Sequence, residues 1–154
     1  MSTTIGPALH PAHLISDLRT RRRDSALHEL ARRAHEAGVA RDPALLLATL
    51  QLRERLGSTS VGRGVAVPNA RSLAVLEQRV LVGRSARGVE WGGGDGAEVR
   101  LVLLVVSPAE CSAAAHQGLV GRAVTATRLA RARQRLLDAA DPEEAAAVLA
   151  EVLP

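Results

Sequence analysis

A chain of 154 residues, 47% of them hydrophobic, is long enough to bury one proper core and has the size of a single domain. All 20 basic residues are arginine; set against 16 acidic residues they leave a net charge of only +4, too small an excess to mark a nucleic-acid binder by charge alone. Phe and Tyr are absent and Trp91 is alone, which excludes a stacking platform for single strands.

The longest apolar stretch, Val99 to Val106, is broken by Arg100 and is too short to cross a bilayer. Met1 to His10 has neither a basic start nor an apolar signal core, and the lone Cys111 cannot close an internal disulfide. A cytoplasmic protein without membrane insertion is expected. Cys111 reads either as a reactive thiol or as a small, half-buried residue near a helix start, the second being favoured.

In chain order, residues 1–12, with Pro7 and Pro11, read as an extended lead-in to one domain over 13–154. Asp24 is a candidate cap for a helix through Leu27, Leu30, Ala31 and Ala34 that stops at Gly38. Asp42-Pro43 opens a second helix, with Leu45, Leu46, Thr49, Leu52 and Leu56 as its apolar stripe and Gly57 as its end. Val65-Ala66-Val67 is a short β-branched run. Arg79 to Arg84 and Glu98 to Val106 read as strands, the latter apolar enough to be central and covered on both faces. Gly92 to Gly96 is a turn between them. Helix returns at Ser112, carrying Ala115, Leu119, Ala123 and Ala126, and continues to about Leu137. Asp141-Pro142 starts a last helix with Ala146, Leu149 and Leu153 inward. Helices, strands, then helices predict an α/β (or α+β) fold, a mixed sheet between helical layers.

Two arginine clusters, Arg21-Arg22-Arg23 and Arg128, Arg131, Arg133, Arg135, come with no helix-turn-helix or zinc pattern and read as solvated helix faces. His10, His13, His28 and His35 have no Cys or acidic cluster at metal-ligand spacing and read as solvent-facing; no metal or cofactor is expected.

The informative segment is residues 53–71, R-E-R-L-G-S-T-S-V-G-R-G-V-A-V-P-N-A-R. It resembles the signature of phosphotransferase-system EIIA type-2 domains, of the fructose, mannitol and nitrogen-regulatory kind. There an Arg-Glu pair precedes Ser-Thr-Gly-ϕ-Gly-x-Gly-ϕ-Ala-ϕ-Pro-His-x-Arg. Arg53, Glu54, Ser58, Thr59, Gly62, Gly64, Ala66, Pro68 and Arg71 match; Ser60 replaces a usual glycine, and Asn69 stands where the family has its phospho-acceptor histidine. Gly88-Val89-Glu90-Trp91, Asp95-Gly96, Leu101 to Pro108, His116 and the final Asp141 to Leu153 helix extend the resemblance over essentially the whole chain, although Gln117 replaces the leucine usual after that second histidine.

A phospho-acceptor imidazole needs a ring nitrogen with a free lone pair and cations for the phosphoryl oxygens. Arg71 lies two residues beyond Asn69, on the same face of an extended segment. Gly62 and Gly64 let backbone amides approach an anion. The resemblance implies that Arg53, Thr59 and His116 join them in an anion pocket for phosphate or sulfate, with His116 beside the acceptor. It also implies a roughly five-stranded sheet and docking to the histidine phosphocarrier HPr and to EIIB, around Gly62 to Arg71 and the helix after His116. The chain's length leans toward the nitrogen-regulatory branch.

An asparagine amide nitrogen is no phosphoryl nucleophile, since its lone pair is delocalised into the carbonyl. The expectation is a phosphorylation-deficient regulatory domain that binds a protein partner, HPr-like or a regulated target. Its alternatives are an active carrier using His116 and a sensor of small phosphorylated anions. Without the family, Arg53 and Arg71 read as capping carbonyls or pairing with Glu54 and Glu77. Trp91 reads as an anchor of the hairpin.

Overall fold

In the computed structural model, residues 14–15, 17–93 and 95–153 are described; the expected lead-in, with His10 and His13, lies outside them. The elements run β1 (Leu14–Ile15), α1 (Arg23–Glu36), α2 (Pro43–Leu56), β2 (Ser60–Gly62), β3 (Val65–Ala66), β4 (Asn69–Ser72), β5 (Arg79–Val89), β6 (Val99–Pro108), α3 (Ala113–Thr127), α4 (Ala130–Asp138) and α5 (Pro142–Val152).

β6 is the central strand. It pairs antiparallel with β5 on one side and parallel with β3 and then β4 on the other, so the sheet runs β1-β5-β6-β3-β2 with β4 on the same edge as β3. The sheet is therefore mixed, with six strands among the described residues where about five were expected. The alternation of β6 splits its side chains between two cores. Val102, Leu104 and Val106 join Leu27, Leu30, Leu46 and Leu50 of α1 and α2, while Leu101, Leu103 and Val105 join Leu119, Leu136 and Leu149 of α3, α4 and α5. A strand covered on both faces has no polar side to show, which is why its sequence is almost unbroken Val and Leu.

The helix starts obey capping chemistry, with one correction. Asp42, Ser112 and Asp141 accept from the N–H groups of Leu45, Ala115 and Glu144 at 3.0, 3.0 and 2.8 Å. Asp42→Ala should cost about 1 kcal/mol in a urea titration, because it strands an N–H at the start of α2. Asp24 does not cap α1. It sits in the first turn, and Arg22 holds the capping position without a side-chain bond. Arg22 is fixed one step earlier by a bridge to Glu90, whose N–H donates to Arg21 O at 2.8 Å, so the helix begins sooner than its side chains suggest.

A second correction concerns α2. Its buried residues are Leu46, Leu50 and Glu54, whereas Leu45, Leu52 and Leu56 are 42%, 54% and 79% exposed. Of the expected stripe only Leu46 faces the core; Leu45, Leu52 and Leu56 lie on the outer face with Thr49 half-buried, and α2 presents leucine to solvent beside the site. No helix among the described residues is long and apolar enough to cross a membrane.

Of the arginine clusters, Arg21 pairs with Glu98 and Arg135 with Glu151, and the Arg133 guanidinium donates to Thr127 O and Arg128 O. His28 and His35 are exposed, as expected, and His35 Nδ1 contacts Ala40 O.

Candidate functional site

In a sheet of this kind, ligands gather at the carboxyl ends of parallel strands. Here β4 and β6 run parallel with Asn69 opposite Val105 and Ser72 opposite Pro108, and α3 starts just beyond. The C-terminal half of α2 closes the other side. The result is an open groove of about 290 Å³ lined by Thr49, Leu52, Arg53, Leu56, Asn69, Ala70, Arg71, Ala113, His116 and Gln117. The fold thus brings Arg53, Asn69, Arg71 and His116 together from three separate parts of the chain.

Asn69 and His116 form the floor, 6% and 4% exposed. Asn69 Nδ2 donates to Val67 O at 3.1 Å, and Asn69 Oδ1 lies 3.2 Å from His116 Nε2. His116 Nδ1 lies 2.7 Å from Ser107 Oγ, which also receives Gln78 Nε2 at 3.0 Å. Arg71 stands exposed at the rim with Nη1 donating to Ala109 O and Cys111 O at 3.2 and 2.9 Å; Arg53 Nη1 donates to Gly57 O at 2.7 Å. Both guanidiniums cap carbonyls, as the residues alone suggested, and neither pairs with Glu54 or Glu77. Each keeps further N–H groups and its charge at the groove. Cys111 is half-buried just before α3, with Gln78 Nε2 3.8 Å from its sulfur.

The pKa of His116 is lowered from the usual 6.5, first by burial and second by the Arg71 charge. The unfolded chain therefore binds its proton more readily than the folded one. Stability from this residue is full above pH 6.5 and is lost as the pH falls from there toward the lower folded value. Chemical denaturation should accordingly show the wild type losing more stability than His116→Gln between about pH 7.5 and about pH 5.5. Equal losses would contradict the assignment.

Three residues expected in the pocket are used elsewhere. Thr59 is 4% exposed; its N–H donates to Glu54 Oε2 at 3.1 Å and its hydroxyl to Glu54 Oε1. The Trp91 indole N–H completes the cluster, 3.3 Å from Glu54 Oε1 and 3.2 Å from Thr59 Oγ1. Trp91, 1% exposed, is an anchor and not a ligand platform. Gly62 and Gly64 do not line the groove. With φ of 86° and 76° on either side of Arg63 at 59°, they make the tight turn between β2 and β3, in a left-handed region that favours glycine. Asp95 receives the Arg63 and Ala97 N–H groups at 3.0 Å each, and these bonds, Ala97's first, hold its carboxyl below the ordinary range.

Ser107 and Gln78 were not singled out in the sequence. Ser107 is hidden at the end of an apolar run, and only the register of β6 brings it beneath His116. Among the described residues no group of three or more His, Cys, Asp or Glu could hold a metal ion.

The family model described as Phosphoenolpyruvate-dependent sugar phosphotransferase system, EIIA 2, matches residues 8–152. The chain is 31% identical over 140 residues to the Nitrogen regulatory protein of Bradyrhizobium diazoefficiens, covering 91% of this chain and 90% of that protein. It is also 31% identical over 136 residues to the PTS system 2-O-alpha-mannosyl-D-glycerate-specific EIIABC component of Escherichia coli, covering 88% of this chain but spanning only 21% of that longer protein. The fold superimposes on Nitrogen Regulatory Protein IIA-Ntr from Neisseria meningitidis with a TM-score of 0.83 at 25% identity, over 94% of this chain and 97% of that one. The chain belongs to the EIIA type-2 family of the phosphoenolpyruvate-dependent sugar phosphotransferase system.

Proposed function

We propose that this protein is a phosphorylation-deficient EIIA domain of nitrogen-regulatory character that acts by binding a protein partner. The observation that carries the reading is Asn69. It occupies the floor of the groove where the family signature calls for the acceptor histidine, and the amide nitrogen there, its lone pair delocalised into the carbonyl, is no nucleophile toward phosphorus. A neutral amide also brings none of the roughly two negative charges of a phosphoryl group, so a partner meets a surface like that of the unphosphorylated state.

Domains of this family interact with other proteins such as EIIB. The surface offered here is the groove and its rim. Leu52 and Leu56 are exposed beside Arg53 and Arg71, an apolar patch with a cationic border that suits a protein face carrying acidic residues. HPr or a regulated target is the partner class, and residues 13–154 are read as the one domain.

The test is an NMR titration of the labelled protein with HPr, followed by addition of enzyme I and phosphoenolpyruvate. Perturbations at Leu52, Leu56, Arg71 and Ala113 are expected, with no new species for Asn69 or His116 after phosphoenolpyruvate is added. A second set of His116 resonances that appears only with phosphoenolpyruvate and vanishes in acid overturns the reading.

The unpaired charge at the rim supports a second reading, a sensor of small phosphorylated anions. Among the described residues neither Arg53 nor Arg71 forms a salt bridge. Stabilisation by a phosphorylated metabolite in a thermal-shift titration, lost in Arg71→Ala, would favour it. A flat titration at millimolar concentration removes it.

A further inference from the structure

The chain of hydrogen bonds that ends at Asn69 has a direction, and it can be followed link by link. The Val67 carbonyl only accepts, so the group 3.1 Å from it is the Asn69 N–H, which turns Oδ1 toward the imidazole. Oδ1 also only accepts, so His116 Nε2, 3.2 Å away, carries the hydrogen. A neutral ring then has its lone pair on Nδ1, and the Ser107 hydroxyl at 2.7 Å donates into it. The Ser107 oxygen accepts in turn from the Gln78 amide at 3.0 Å. Every donor meets an acceptor without conflict. Ser107 is 0% exposed, so water does not compete for these bonds.

Ser107, His116 and Asn69 also stand in the order of a nucleophile, a base and an orienting amide. Full burial removes that reading, because no substrate reaches the Ser107 oxygen. What the serine does is donate to the ring.

We propose that Gln78 and Ser107 are positioning residues that hold His116 in the tautomer with hydrogen on Nε2. His116 is thereby a fixed hydrogen-bond donor toward position 69 and cannot stand in as a phosphoryl acceptor. The inference rests on the reading of the site as lacking its acceptor, and deepens it. The ring nitrogen facing Asn69 has no lone pair, and the nitrogen that has one faces Ser107, away from the groove. Whatever occupies position 69 must accept from His116, which an amide oxygen, an imidazole nitrogen or a phosphoryl oxygen does equally well.

The experiment is long-range proton–nitrogen NMR on protein labelled with ¹⁵N-histidine, at about pH 7.5 where the ring is neutral. The wild type should give the Nε2–H pattern for His116. Ser107→Ala and Gln78→Leu should move it toward a mixture of tautomers. In the Asn69→His background, Ser107→Ala should slow phosphoryl uptake from HPr roughly five- to tenfold, the worth of one hydrogen bond. An Nδ1–H pattern in the wild type overturns the inference without recourse to any variant, and so does an unchanged pattern in Ser107→Ala. Phosphoryl label on the wild type overturns the underlying reading; absence of label together with an Nδ1–H pattern overturns this inference alone.

Discussion

Asn69→His is expected to accept a phosphoryl group that, on the proposed function, the wild type does not take. Presented with phosphoenolpyruvate, enzyme I and HPr, the variant should carry acid-labile phosphate at position 69. The gain should be at least about a thousandfold over the wild type, because removing a covalent nucleophile commonly costs more than that. The local structure is ready for the exchange. The Asn69 amide nitrogen that donates to Val67 O at 3.1 Å sits where a histidine Nδ1 would sit. Val67 would therefore hold Nδ1–H and leave Nε2 with its lone pair, the form that attacks phosphorus. As the new N–P bond forms, the N–P bond to the carrier breaks and its electrons return to the carrier's imidazole. His116 is at hand to donate a hydrogen bond, and Arg53 and Arg71 bring positive charge to the rim. Labelling of Asn69→His and its loss on mild acid treatment check the expectation. An unlabelled Asn69→His that still binds HPr would mean that the scaffold has lost more than its nucleophile.

The largest stability effect outside the apolar core should come from Glu54. This carboxylate, 5% exposed, receives the Thr59 N–H, the Thr59 hydroxyl and the Trp91 indole, tying the end of α2 to the residue before β2 and to the second residue after β5. Glu54→Ala strands those donors in a buried place and leaves a cavity, so a loss of about 3 kcal/mol is expected in a denaturant titration. Glu54→Gln keeps one acceptor oxygen and the shape, and should lose about half as much. Trp91 is the sole tryptophan, so its emission reports the same event: Glu54→Ala should shift the folded-state spectrum while Asp42→Ala leaves it unchanged. A loss below about 1 kcal/mol for Glu54→Ala would show that Thr59 and Trp91 find other partners.

These two residues also mark how far the sequence could be read. The run from Arg53 to Arg71 located the groove, and Asn69, Arg71, Arg53 and His116 do converge there. Thr59, Gly62 and Gly64 were drawn into it by the same motif, yet Thr59 turns inward to Glu54 and the glycines shape a hairpin turn. A motif names positions, and it does not say which of them face the ligand and which build the wall behind it.

The helix caps at Asp42 and Asp141 were legible because capping is local chemistry within a few residues. The facing of α2 was not. Leu45, Leu46 and Leu47 in succession, followed by Leu50, Leu52 and Leu56, put leucine on most of the helix surface, so periodicity does not choose a side. Packing on the sheet chooses Leu46 and Leu50, with Leu47 partly buried against them, and leaves Leu52 and Leu56 to the groove. β1 is two residues long and pairs with Val82 and Gly83 far along the chain, a contact for which its own residues carry no signal. The central strand β6 was legible for the opposite reason, since a strand covered on both faces, eight of its ten residues buried, admits almost only β-branched and aliphatic side chains.

The measurement that bears most directly on the account is the intact mass of the wild-type protein after incubation with phosphoenolpyruvate, enzyme I and HPr at neutral pH. An unchanged mass is expected while HPr in the same tube is phosphorylated. A gain of one phosphoryl group, at His116 or any other residue, would contradict it.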